Sequence, residues 1–320
     1  MPSRAPGPIT ADCFPVPTLL LRTNHPGNQR TIRAFAHQQA MQASSLLKTL
    51  AEALPSTEDL AARSAVFTAV FEATEDWRYR IAAASPEPTG RYGRSSAERF
   101  RQPVTDDNPN LFRIGEHERL REGARWNSAT RTYLGGTETP ASRTMKQTGV
   151  LAAARFPTSS GAEVIQNQVN LDSGHRVPGM RLLRGAAARS AAVEMVARIR
   201  TRGRDTSHII TDGDLIYCAS AKEADRTAIF RQAMDLLAHD HATEAAALTA
   251  WLQATYMIYQ APRRKRGSDA ATRTFLMAAG TYLLHRPPTL LDDIDMRAIV
   301  LPQESFVAEL RTVQRGRSEM

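Results

Sequence analysis

Apolar residues recur at three- and four-residue steps along most of this chain, the spacing that places them on one face of a helix. From Thr31 to about Leu54 the repeat runs through Ile32, Phe35, Ala36, Leu46, Leu47 and Leu50, and Pro55 ends it. Ser56-Thr57-Glu58-Asp59 has the form of a capping box and opens a second long helix, lined by Leu60, Val66, Phe67, Val70, Phe71, Trp77 and Ile81. The same period predicts helices over 184–202, 222–238, 243–260, 268–284 and 303–313, with Pro287-Pro288 closing off the fourth. These apolar faces are core residues.

Alternating, strand-like pattern is confined to the middle. Residues 149–156 are one candidate strand, and Glu163–Leu171 is a better one. Asp172-Ser173-Gly174 is a turn signal, after which Arg176–Met180 returns as a second strand. The chain therefore reads as mainly α with one β-hairpin, and β structure is expected only within about residues 149–182. Residues 84–128 are polar and carry Pro86, Pro88, Gly90, Gly93, Pro103 and Pro109, which predicts an excursion with little regular structure. Arg91, Arg94, Arg99 and Arg101 read as a solvated basic group within it. Residues 1–30, rich in Pro, form an irregular N-terminal arm, and 31–320 form one helical domain.

Between the helices at 243–260 and 268–284 lies Ala261-Pro262-Arg263-Arg264-Lys265-Arg266-Gly267-Ser268-Asp269. Pro262 stops the first helix, and Ser268 or Asp269 can cap the second. The turn sets four cations just before a helix N-terminus with unpaired N–H groups, and Gly267 admits close approach to the backbone. Such a turn suits an anion, most naturally phosphate. A basic run between helices is otherwise a solvated loop, and this one is not a Walker A loop.

Composition narrows the choice. The chain of 320 residues can bury a sizeable core, and its formal charge is +8. Lys48, Lys146, Lys222 and Lys265 are the only lysines, so nearly all the basic charge is Arg. Few aromatics interleave the basic runs, which argues against stacking recognition of nucleic acid. Cys13 and Cys218 are too few for a disulfide framework or a zinc site. No stretch approaches ~18 apolar residues, so no membrane span is expected, and the reading is cytoplasmic. His239-Asp240-His241 alternates, so the two histidines do not share a helix face, and Asp292, Asp293 and Asp295 follow no EF-hand spacing; no metal site is expected.

Arg266-Gly267-Ser268, with Ala270, resembles the Arg-Gly-Ser-Ala signature of the AvrB family, which belongs to the Fic/Doc (Fido) superfamily. Further pieces follow in the same order: Ala73-Thr74-Glu75-Asp76-Trp77-Arg78, then Thr139-Pro140 with Lys146 and Val150-Leu151-Ala152. Phe230-Arg231-Gln232-Ala233 and Asp293-Ile294 with Glu304-Ser305-Phe306-Val307 complete the set, over roughly residues 73–307. Pro2 departs from the family by excluding N-myristoylation. The resemblance implies a Fido-like helical bundle whose hairpin is a flap beside the active site; a sheet of four or more strands would sink that assignment.

The superfamily's central motif carries a His as general base, and here Ala261 precedes Pro262, with no His between His241 and His285. Adenylyl transfer is therefore not expected. The resemblance implies instead a transferase with no tightly bound cofactor, using a nucleotide or nucleotide diphosphate-sugar as donor. Glycosyl transfer to a hydroxyl of a protein or small-molecule acceptor leads; a Fic-type nucleotidyl or phosphoryl transferase and a non-catalytic nucleotide- or partner-binding module are the alternatives. Arg263, Arg266, Gly267 and Ser268 are the candidate phosphate-binding residues. Asp293 is matched to a functional acid, or else caps a helix; Thr139 is matched to a site threonine, or else makes a Thr-Pro turn. His175, at the hairpin turn, is the candidate for positioning the acceptor, or else an exposed loop residue.

Overall fold

The computed structural model describes residues 7–85, 97–157, 161–172 and 174–316. In chain order its main elements are α1 (Pro26–Ala53), α2 (Leu60–Ala84), β1 (Leu111–Ile114), β2 (Arg125–Asn127), β3 (Thr132–Leu134) and α3 (Pro140–Ala154). Then come β4 (Val164–Asn170), β5 (Arg176–Leu183), α4 (Gly185–Arg200), β6 (Ile216–Ala219), α5 (Glu223–Ala238), α6 (Glu244–Gln260), α7 (Ser268–Leu284), α8 (Ile294–Val300) and α9 (Gln303–Gly316). The chain is mainly helical. Arg91 and Arg94, read above as solvated cations, fall outside the described residues, as does Ser173 of the hairpin turn.

Helix α7 is the hub. Every residue from Ala271 to Thr281 is buried, so it is enclosed on all sides, with α1, α2 and α6 packed against it. Its small residues permit that approach, and its polar ones are satisfied locally: Thr274 Oγ1 donates to Ala270 O at 2.8 Å and Thr281 Oγ1 to Met277 O at 2.7 Å. Trp251 Nε1 of α6 donates to Leu276 O at 3.0 Å, fixing the two helices in register. Phe67, Phe71 and Phe230 meet Phe275 or one another edge-on at centroid distances of 5.0–6.5 Å, each pair contributing about 0.5–1.5 kcal/mol beyond its buried area.

The expectation of one isolated hairpin is overturned. The β4–β5 hairpin is half of a four-stranded antiparallel sheet in the order β1-β6-β5-β4, and β2 pairs with β3 separately. Strand β6 is buried throughout: Ile216 and Cys218 pack toward Met145 of α3, Tyr217 and Ala219 toward Ala188 and Ala191 of α4. With both faces covered it has no polar alternation to betray it. The four strands count against a Fido-like bundle with a lone flap, so the function proposed below draws its support from the cavity rather than from that architecture. Residues 149–156 are not a strand either. They end α3, whose start is fixed by Pro140 and by a capping box between Thr139 and Ser142. Gly149 is required there because a Cβ would meet Gly115 Cα at 2.7 Å.

The N-terminal arm is shorter than expected, since α1 already begins at Pro26, and it wraps the body. Cys13 and Phe14 enter the core, Gly7 N donates to His285 O at 3.2 Å, and Thr18 N to Asp292 O at 3.3 Å.

The hairpin is pinned, not free to swing. A bulge between Gln166 and Gln168 turns Asn167 inward, where its Nδ2 donates to Ile299 O at 2.9 Å and Gln260 Oε1 at 3.3 Å. Gln260 Oε1 also accepts from Met180 N at 2.8 Å, and its Nε2 donates to Ala298 O. One buried amide thus joins α6, α8 and both hairpin strands. Gln260→Ala leaves several buried groups unpaired and is expected to cost about 2–4 kcal/mol in denaturant unfolding. A loss below about 0.5 kcal/mol would show that the contact does not hold the hairpin.

Candidate functional site: a cationic cavity beside the basic turn

The basic turn is clamped before its side chains are placed. Residues 102–104 lie antiparallel to it: Val104 N donates to Arg263 O at 2.9 Å and Lys265 N to Gln102 O at 3.0 Å. The four cations then divide. Arg263 and Arg264 turn to α2, where Arg263 Nη2 lies 2.8 Å from Glu72 Oε1 and Arg264 Nε 3.0 Å from Glu75 Oε2. Arg263 also stacks over Phe230, 4.8 Å from its ring centre. Glu75 is buried, and burial raises its carboxyl pKa, although Arg263 and Arg264 pull it the other way. Lys265 and Arg266 line a cavity of about 500 Å³, whose lining Arg264 also reaches.

This cavity lies where the sheet meets the helical body. Its cations come from three places: Arg264, Lys265 and Arg266 on the turn, Arg198, Arg202 and Arg204 at the end of α4 and just beyond, and Arg99 on a short turn before β1. Lys265 Nζ donates to Asn108 O at 2.9 Å and to Pro109 O at 2.7 Å, while Arg198 Nη1 donates to the same Pro109 O at 3.0 Å. Lys265 is pushed down to about 8, by burial first and then by Arg198, Arg99, Arg202 and Arg226. Arg99 is pushed down to about 10 by burial, then by Arg266, Arg202 and Arg204, and its buried Nε has no hydrogen-bond partner among the described residues. Arg266 is lowered by burial and then by Arg204. These are like charges held together, the inverse of a solvated loop.

The same cavity holds an acidic corner built on Arg273. This arginine of α7 is 1% exposed. Its Nε donates to Asp269 Oδ1 at 2.8 Å, Nη1 to Leu291 O at 2.6 Å and Nη2 to Asp292 O at 3.0 Å, with Asp295 Oδ1 3.7 Å from Nη2. Tyr259 Oη donates to the same Asp269 oxygen at 2.9 Å. Asp269 and Asp295 both line the cavity, with side chains 29% and 22% exposed. One guanidinium serves two carboxylates, so Asp295 is raised well above the carboxylate range, by burial first and then by Asp269. The remaining wall is apolar and rich in Met: Met145, Met180, Met195 and Met296, with Phe112.

The residues singled out from the sequence are therefore scattered. Arg266, Gly267 and Ser268 border the cavity, and Arg263 does not. Gly267 has φ 78° and is the N-cap of α7, so neither Ser268 nor Asp269 caps that helix; Ser268 Oγ donates back to Arg264 O at 3.0 Å. The space above Gly267 is filled by Phe100 and Arg78, 2.6 and 2.8 Å from where a Cβ would sit, so the glycine serves the turn and this packing rather than ligand approach. Thr139 is fully buried and caps α3, its Oγ1 donating to Leu120 O at 2.8 Å. Asp293 makes no side-chain cap; its Oδ1 accepts from Arg297 Nε at 2.7 Å, outside the cavity lining, and Asp295 two residues on takes the cavity position. His175 is exposed at the hairpin tip, and the hairpin reaches the cavity through Met180 instead.

Sequence reasoning missed Arg198, Arg202, Arg204, Tyr259, Asp269, Arg273 and Asp295, and it misplaced Arg99. Four arginines in the seven residues Arg198–Arg204 were the available signal. The chain matches no protein-family model and no curated protein sequence. Among the described residues, no helix is long and apolar enough to cross a membrane.

Removing Arg273 should expose the logic of the acidic corner. Arg273→Leu strands two half-buried carboxylates and leaves the carbonyls of Leu291 and Asp292 without their donor, and is expected to lose about 2–4 kcal/mol at pH 8. Without the cation the raised folded-state pKa of Asp295 rises further, so the folded form binds more protons than the unfolded one. The deficit must then shrink as pH is lowered toward 5, which denaturant titrations at the two pH values will show. A pH-independent deficit would mean that the carboxylates carry no charge there.

Proposed function

We propose that this cavity binds the diphosphate of a nucleotide-linked donor and that the protein transfers the attached group to a hydroxyl acceptor on a protein or small molecule. Glycosyl transfer from a nucleotide-sugar is the favoured case. The observation that carries this reading is the presence, in the lining of one cavity, of a desolvated cation cluster and a carboxylate with raised proton affinity. Lys265 and Arg266 would neutralise the leaving diphosphate as negative charge builds on it. The uncapped N–H groups at the start of α7 would add to this. Asp295, when ionised, would accept the acceptor hydroxyl proton. The acceptor oxygen bonds to the sugar's anomeric carbon, the bond from that carbon to the phosphate oxygen breaks, and its electron pair leaves with the diphosphate. The Met-rich wall offers an adaptable apolar surface for a base or sugar face. No His lines the cavity among the described residues, which disfavours Fic-type adenylyl transfer.

Arg266→Ala is expected to weaken nucleotide diphosphate binding by about 1.5–3 kcal/mol in calorimetry. Asp295→Asn should abolish turnover while keeping donor affinity. Mass spectrometry of acceptors incubated with ATP and with nucleotide-sugars decides the reaction: a sugar-sized adduct is expected, an AMP-sized adduct would overturn glycosyl transfer, and nucleotide binding with no adduct would leave a binding module.

Lys265 sets the pH dependence. A bound anion favours its charged form and raises its pKa above the free value of about 8. Affinity should therefore be full below that pH and fall as pH rises through it, with proton uptake on binding. The decline is expected to vanish in Lys265→Arg; an unchanged profile would place Lys265 outside the anion's reach.

A further inference from the structure

We propose that Lys265 is a nucleophilic amine that condenses with an aldehyde group of a ligand in this cavity, forming an imine. The reactivity of the amine stands apart from the function proposed above; a preference for an aldehyde that also carries a phosphate rests on its anion-binding reading.

The ground is the geometry around one nitrogen. Lys265 Nζ donates to Asn108 O at 2.9 Å and to Pro109 O at 2.7 Å, and among the described residues it has no third acceptor and no carboxylate partner. An ammonium group brings three N–H donors, whereas a neutral amine brings two and keeps a lone pair. The two carbonyls therefore satisfy the neutral amine completely and leave one N–H of the ammonium without a protein partner. Lys265, Asn108 and Pro109 all line the cavity, so this nitrogen sits in its wall. Burial, and Arg198 Nη1 donating to the same Pro109 O at 3.0 Å, also favour the neutral form. With Lys265 pushed down to about 8, about a quarter of it is neutral at pH 7.5, against about one part in a thousand for a lysine in water. Lower basicity makes the neutral amine a weaker nucleophile, which offsets part of that gain. Lysines desolvated beside another cation form imines with carbonyl substrates for this reason.

The step needs no oxidant and no further reactant. The nitrogen lone pair attacks the aldehyde carbon and the C=O π pair moves to oxygen. Both amine protons end on that oxygen by way of solvent, and it leaves as water while the C=N bond forms. The surroundings tolerate the product: the protonated imine keeps one N–H for Asn108 O, and Pro109 O keeps Arg198 as its donor. A bound anion favours charged Lys265, so the amine reacts when no diphosphate is present.

The test incubates the protein with glyceraldehyde or with glyceraldehyde 3-phosphate, traps imines with borohydride at timed points, and reads each lysine by peptide mass spectrometry. Lys48, Lys146 and Lys222 are exposed and serve as the internal reference. At pH 7.5 Lys265 is expected to label about tenfold faster than these three, or more, with either aldehyde, and faster with the phosphorylated one. Its rate should rise through about pH 8 and then level off. Lys265→Arg should remove the fast labelling and leave that of the other three lysines unchanged. Labelling of Lys265 no faster than that of the exposed lysines, or a rate that climbs unbroken to pH 10, would overturn the inference and leave the anion site to the calorimetry of Arg266→Ala. Fast labelling by both aldehydes alike would uphold the reactive amine and count against the anion site.

Discussion

A single guanidinium holds the cavity end of this fold in place. Arg273 rises from the fully enclosed α7, and every nitrogen finds an acceptor: Asp269 one turn earlier, and the carbonyls of Leu291 and Asp292 on the chain returning from α7. The return segment is thereby tied to the start of α7, and α8, which follows at once, presents Asp295 beside Asp269. A charge this deep is tolerable only if its partners are fixed. The helices that bury it are therefore also what aims the two carboxylates into the cavity.

The basic turn shows the same dependence on neighbours. Four consecutive cations leave α6 with the same local chemistry and finish in two environments. Glu72 and Glu75 on α2 take Arg263 and Arg264, and the pairing with residues 102–104 leaves Lys265 and Arg266 on the cavity side. Neutralising half of the turn against the helical body anchors it. The other half is left with backbone carbonyls and other arginines around it. What distinguishes the two pairs is tertiary packing, not sequence.

That difference explains what could be read in advance. The helices at 243–260 and 268–284 were legible to within one residue, because their apolar period is long and Pro262 and Gly267 mark the ends. Helix α3 was half misread: Val150-Leu151-Ala152 is an apolar run that fits either a strand or a helix, and the deciding capping box at Thr139 lies a full turn and more upstream. Strand β6 was invisible because four apolar residues covered on both faces have no period at all. At the site, Arg266 could be read from its place before a helix. For Arg198 and Arg202 the sequence held only the density of arginines at 198–204, which a solvated helix end shows as readily; the docking of α4 against β5 and β6 is what turns this end toward the cavity. Asp295 was overlooked in favour of Asp293 for a similar reason: both are equally plausible in sequence, and the capture of Asp293 by Arg297 settles which one faces inward.

The cation cluster is a standing cost to the folded chain. Burial and mutual repulsion depress Lys265, Arg99 and Arg266 together, so the apo fold holds charge that the unfolded chain would keep well hydrated. The enclosed α6–α7 core supplies the stability that permits it, and the Gln260 amide keeps the hairpin from relaxing into the space. A ligand that neutralises the cluster recovers this energy on binding, so its affinity includes relief of strain already present in the free protein.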